Sequence, residues 1–223
     1  MIHATDFSAL ILDMDGVLAD TEPIFFEAFQ ILLGEYDVTL SQDYLNSLVG
    51  HSAQKNFEDM VVDFGLKLNV AECVRQLEET YNHLLQTKSI SANPGVWTLI
   101  SKAKTRELTL GLCTSSSRNQ TNTLLQQIWR SDRPKYRSPS NVFKAIVTGD
   151  DVTIKKPDPE PYHKITAALE TSPKRCLVIE DSLSGIRSAK SAGCVCVGLR
   201  TVYNRELDFS LADGVINTLE ALI

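Results

Sequence analysis

Short apolar runs recur along the chain at Leu10–Leu12, Leu108–Cys113, Ala145–Thr148, Cys176–Ile179 and Cys194–Leu199. None alternates polar with apolar, and each is bounded by polar or turn residues. Runs of this kind read as strands buried on both faces of a parallel sheet. Between them lie stretches with helical spacing: Val96–Ala103, Gln120–Trp129, Pro161–Leu169 and Leu183–Ser191. Strand and helix in alternation predict an α/β class with a doubly wound parallel sheet.

Residues 24–90 follow another rule. "IFFEAFQILLG", "SQDYLNSLVG", "SAQKNFEDMVVDFG" and "VAECVRQLEETYNHLLQ" have helical spacing and no strand pattern. They predict a helical lobe inserted after the first strand, with Pro94-Gly95 in "SANPGV" marking the return. The expected division is a core of residues 1–18 and 92–223 and a helical domain of residues 19–91. The plainer alternative packs these helices on the sheet within one domain. "RSDRPKYRSPSN", residues 130–141, reads as a basic surface loop. Phosphate binding by Arg130, Arg133, Lys135 and Arg137 is the other reading of that stretch.

Composition narrows the classes. A chain of 223 residues, 43% hydrophobic and 22% charged, can bury a sizeable core. Its net charge of -6 argues against a nucleic-acid surface. An anionic small molecule stays possible, because one metal ion or a few cations reverse the local sign. The five cysteines form no CxxC pair and predict reduced thiols in the cytoplasm. No secretory leader and no apolar run of membrane-spanning length is visible. Without heptads, a monomer is the default expectation.

Ligands of doubly wound sheets bind beyond the carboxyl ends of the strands. There the chain places Asp13 and Asp15, then Thr114–Ser117, then Lys155-Lys156-Pro157, then Glu180-Asp181. Carboxylates, hydroxyls and a lysine suit phosphoryl transfer to a carboxylate. A divalent cation offsets the repulsion between carboxylates and a phosphate ester. One carboxylate then attacks phosphorus while a second moves the proton. Each group also has a plain reading. Asp13 and Asp15 could cap a turn, and Thr114–Ser117 could be an N-cap. Lys156 could be solvated, and Glu180-Asp181 could be loop residues. Ser182 and Ser184 read as helix caps. His51, His83 and His163 read as surface or packing residues, and His3 lies near the chain start.

"DMDGVLADTEP", "CTSSS", "KKPDPEPY" and "IEDSLSGIRSAKSAG" resemble, in order, the four signatures of the haloacid dehalogenase-like (HAD) superfamily. The likeness runs through nearly the whole chain. It points to the branch with an inserted helical cap, which includes sugar-phosphate phosphatases and β-phosphoglucomutase. It implies a Rossmann-like core, with Mg²⁺ as cofactor and a small phosphorylated metabolite as substrate. Asp13 would be the nucleophile and a metal ligand. Asp15 would be the general acid/base, with its carbonyl on the metal. Thr114, the Ser115 N–H and Lys156 would hold the phosphate, Lys156 rather than Lys155. Glu180 and Asp181 would complete the metal site, Asp181 the more directly.

Asp20-Thr21 resembles the hinge pair into the cap, followed by Glu22. The mutase pattern has a histidine near Phe25 and an arginine in the cap loop, where "VGHSAQKN" offers His51 and Lys55. These departures favour a phosphatase, with Glu22, His51 and Lys55 as candidate substrate contacts. Three alternatives stay open: a sugar phosphomutase, a phosphonate-cleaving enzyme using Lys55 as a Schiff base, and a non-catalytic binding protein. Residues 128–144 are longer than the family pattern and read as a surface loop or a partner site.

Overall fold

The computed structural model describes residues 7–132 and 134–222. His3 and Arg133 lie outside them. The chain divides into two compact units, Met1–Asp20 with Ser89–Ile223, and Thr21–Lys88.

The larger unit is built on six parallel strands. They are β1 (Ala9–Leu12), β2 (Thr109–Cys113), β3 (Ala145–Val147), β4 (Cys176–Glu180), β5 (Val195–Leu199) and β6 (Gly214–Ile216). Their spatial order is β3-β2-β1-β4-β5-β6. This is the doubly wound order in which the winding reverses between β1 and β4, opening a crevice at their carboxyl ends. All residues of β1 and β4 are buried, which is why those segments read as unbroken apolar runs. Register sets the site: Leu12 lies beside Leu112 on one side and Ile179 on the other. The residues that follow therefore emerge side by side.

Numbered in chain order, the helices of this unit are α5 (Val96–Thr105), α6 (Arg118–Asp132), α7 (Glu160–Ala168) and α8 (Leu183–Ser191). Tyr162 and Ile165 of α7 and Ile186 and Ala189 of α8 join Ile11 and Val178 in one buried cluster.

Two expectations need correction. The apolar-run pattern contained no β6, an edge strand of three residues with Val215 48% exposed. Asp213 sets it in place, accepting the Cys196 N–H at 2.8 Å and pairing with Lys190 at 2.6 Å. Residues 130–132 belong to α6 rather than to a loop. The following segment is a surface loop with Lys135 and Arg137 exposed, and Tyr136 ties it to the helices. Trp97 stacks edge-on against Trp129 at 5.1 Å, the Trp129 indole donates to the Tyr136 carbonyl, and the Trp97 indole donates to Asp132.

The smaller unit holds α1 (Glu22–Gly34), α2 (Gln42–Ser47), α3 (Ala53–Phe64) and α4 (Val70–Thr87). Phe29, Phe57, Met60, Leu77 and Leu85 are buried at its centre. The Ser52 hydroxyl caps α3 by accepting the Lys55 N–H, and Gly65 closes that helix in the left-handed region. All five cysteines are free and buried.

Candidate active site

Asp13 leaves β1 with its N–H bonded to the Ile179 carbonyl at 3.0 Å. Its carboxylate meets Lys156, which arrives from the loop before α7. The Lys156 ammonium donates to Asp13 Oδ1 (2.6 Å), Glu180 Oε1 (2.6 Å) and the Cys113 carbonyl (2.9 Å). An ammonium has three donors, and all three are used. The Lys156 side chain is 4% exposed and that of Glu180 is fully buried. A buried charge persists only when it is paired and hydrogen-bonded, and here each is.

Glu180 carries more than one partner. Its Oε1 also accepts the Tyr162 hydroxyl at 2.7 Å, and its Oε2 accepts the Ser182 hydroxyl at 3.1 Å. Tyr162 is itself fully buried, with Lys156 5.1 Å above its ring. Gly185 makes room for this carboxylate: a Cβ there would come within 1.9 Å of the Glu180 carboxyl carbon. Glu180 is thus the buried anchor of Lys156.

Asp181 follows on the crevice side. A Cβ on Gly16 would stand 1.9 Å from Asp181 Oδ2, and Gly16 has φ +74°. Gly16 therefore serves both a left-handed exit from β1 and the close approach of Asp181. Asn204, itself buried, donates to the Asp181 carbonyl at 2.8 Å and to the Leu199 carbonyl at 3.0 Å. Oxygens of Asp13, Glu180 and Asp181 lie within 4.8 Å of one another. Hard oxygen donors at that spacing fit Mg²⁺.

Asp15 is held from β2. Ser116 donates its hydroxyl to Asp15 Oδ2 at 2.8 Å, and Thr114 donates to the same oxygen at 3.4 Å. Thr114 Oγ1 also accepts the Ser116 N–H at 3.0 Å. Ser117 and Gln120 then form a reciprocal cap at the start of α6, each side chain bonding the other's N–H. The stretch is both a cap and a wall of the site.

Electrostatics mark the centre. Burial pushes the Asp13 carboxyl up to about 8, the Glu180 charge adds to this, and Lys156 opposes it. Burial pulls the Lys156 ammonium down, but Asp13 and Glu180 outweigh it and hold it well above its usual range. Four carboxylates face one ammonium, so the site has a local excess of negative charge.

Asp13, Asp15, Thr114, Lys156, Glu180 and Asp181 thus come together, with Ser115 exposed beside them. Glu22, His51 and Lys55 lie in the smaller unit: Glu22 opens α1, His51 lies in the α2–α3 turn, and Lys55 pairs with Asp59 on the surface of α3. Phe25 packs against Phe29 (4.9 Å) and Tyr81 (5.9 Å). The sequence reading did not single out Ser116, Tyr162 or Asn204. Ser116 and Tyr162 lie inside quoted motifs, but only the fold reveals their bonds.

Residues 10–199 match the family described as Haloacid dehalogenase-like hydrolase. The chain belongs to this family. A phosphorylated carbohydrates phosphatase of Thermotoga maritima is 31% identical over 185 residues, covering 83% of this chain and 81% of that one. A β-phosphoglucomutase of Bacillus subtilis is 29% identical, covering 86% of this chain and 82% of that one. Among solved structures, a mutant CbbY of Rhodobacter sphaeroides bound to xylulose 1,5-bisphosphate superimposes with a TM-score of 0.78. It is 26% identical and covers 97% of this chain and 96% of that one. This HAD-like protein is a hydrolase with a Rossmann-like core.

Proposed function

We propose that this HAD-like hydrolase is a Mg²⁺-dependent phosphatase of a small phosphate monoester, a phosphorylated sugar or related metabolite. One observation carries the reading. Asp13 stands at the switch point of the sheet, tied to buried Lys156, with Asp181 close enough to share a cation.

Asp13 and Asp181 would hold Mg²⁺ with the Asp15 carbonyl, and Glu180 would act chiefly through Lys156. Bound there, the ion offsets carboxylate charge and polarises the phosphoryl oxygens. An Asp13 oxygen attacks phosphorus and the ester P–O bond breaks. Asp15 gives its proton to the leaving alkoxide. Asp15 then takes a proton from water, the water oxygen attacks phosphorus, and the Asp13 carboxylate leaves. Thr114, the Ser115 N–H and Lys156 hold the phosphate oxygens. Lys156 exchanges its bond to Asp13 for one to phosphate as the nucleophile engages.

The helical unit is proposed as the body of a cap of residues 19–91, with Glu22, His51 and Lys55 contacting substrate. Phosphate release from a panel of metabolite monoesters, with Mg²⁺ and with EDTA, tests the reading. The expected result is Mg²⁺-dependent release that Asp13→Asn lowers by at least about 10³-fold. Release that survives the substitution removes Asp13 as nucleophile.

A mutase is the second reading, supported by the β-phosphoglucomutase relative. Phe25 at the expected histidine position is committed to aromatic packing, which weighs against it. The Lys55–Asp59 pair likewise weighs against a Schiff-base role for Lys55. We further infer a monomer working in the cytoplasm.

A further inference from the structure

Beyond the carboxyl ends of β5 and β6 lies an open cavity of about 530 Å³, lined by Arg200, Thr201, Val202, Arg205 and Asn217. Two of these side chains are guanidiniums and none is a carboxylate. That is notable in a chain of net charge -6.

The cavity is tied into the fold. Arg200 follows β5 and donates its N–H to the Ile216 carbonyl at 2.8 Å, while Asn217 follows β6. The Arg200 guanidinium stacks 4.1 Å from the Phe209 ring and donates to the Asn204 carbonyl at 2.6 Å. A guanidinium held this way loses little freedom on binding an anion. Asp208, which lies within the field of the Arg200 guanidinium, accepts the Ser210 N–H at 2.9 Å and its hydroxyl at 3.0 Å. Arg205 is exposed beside Arg200.

Asn204, which does not line the cavity, links it to the candidate active site. The Asn204 amide oxygen accepts the Thr201 N–H at 2.9 Å, and its nitrogen donates to the Asp181 carbonyl at 2.8 Å. β5 and β6 stand two and three strands from β1, so the cavity opens roughly 10–14 Å across the sheet from Asp13. A small sugar with a phosphate at each end can bridge such a span.

We propose that Arg200 and Arg205 bind a phosphate group at this second position, the non-reacting phosphate of a bisphosphorylated substrate. That assignment rests on the phosphatase reading; phosphate binding at the cavity does not. Guanidinium fits phosphate through paired, charge-assisted hydrogen bonds, and Thr201 and Asn217 add neutral polar groups.

Two measurements test it. The first is calorimetric titration of inorganic phosphate into the whole protein in EDTA. Without a cation the carboxylates around Asp13 repel phosphate, so uptake reports the arginine cavity. Arg205→Gln and Arg200→Gln should each weaken uptake at least about tenfold. No uptake by the wild type, or uptake unchanged in both variants, overturns the proposal.

The second, with Mg²⁺, compares kcat/KM for a pentose 1,5-bisphosphate and the matching 1-monophosphate. A tenfold fall in that ratio in Arg205→Gln identifies the group as the substrate's second phosphate. Weakened uptake with an unchanged ratio overturns the substrate assignment and leaves free inorganic phosphate as the ligand. If the wild type hydrolyses no ester, the phosphatase reading fails, and the titration in EDTA still decides the cavity.

Discussion

Asp13 is the residue whose surroundings are most unusual. Its carboxyl is pushed up to about 8 because it is buried and faces Glu180. A carboxyl raised from 3.8 stabilises the metal-free fold fully below that value and loses the contribution as pH rises toward 8. Metal-free protein should therefore melt at progressively lower temperature between pH 6 and 8.5, and Asp13→Asn should flatten this trend. A cation needs the ionised carboxylate, so Mg²⁺ affinity should move the opposite way. It should tighten by up to about tenfold per pH unit over the same range and level off above 8. Calorimetric Mg²⁺ titrations at pH 6, 7 and 8 check this; equal affinities would show that Asp13 is already ionised at pH 6 or does not hold the ion.

At the scale of elements, β4 and α7 cooperate to hold a charged pair inside the sheet. Tyr162 reaches across from α7 to Glu180, so Tyr162→Phe removes one donor from a buried carboxylate. A loss of about 1–3 kcal/mol of stability is expected, read by chemical denaturation. A loss near zero would mean that the Tyr162 hydroxyl does not help hold Glu180. Gly185→Ala forces a methyl group into the same carboxylate and should cost on the order of 1–3 kcal/mol with weakened turnover. In the helical unit, Ser52→Ala removes a cap from α3 and should lower stability by about 1 kcal/mol.

For the whole molecule, every thiol is buried, four in the sheet-bearing unit and Cys73 in α4 of the helical unit. A thiol reagent should leave the native protein unlabelled over minutes and label all five cysteines after denaturation. Rapid labelling of Cys73 in the native form would show that the helical unit opens easily, and of the other four that the sheet does. No helix among the described residues is long and apolar enough to cross a membrane. Family, fold and crevice together favour a small phosphorylated ligand, which phosphate release in Mg²⁺ and EDTA tests directly.

The strand runs, the alternation of helix and strand, and the four motifs were legible in the sequence because each depends on local pattern. Asp13, Asp15, Lys156 and Asp181 could be named from those motifs. The sheet order could not, since it depends on which strands pair across 100 residues or more, as Leu12 does with Leu112. β6 stayed hidden because three half-exposed edge residues carry little pattern. Glu180 read as a metal ligand in sequence; only packing showed Lys156, Tyr162 and Ser182 converging on it from three segments. The stretch after α6 read as solvated because its charges are local, while the Trp97 ring that meets Tyr136 comes from 39 residues earlier in the chain. Local spacing encodes elements and motifs; which side chains meet is decided by burial, where each charge must find a partner or stay in water.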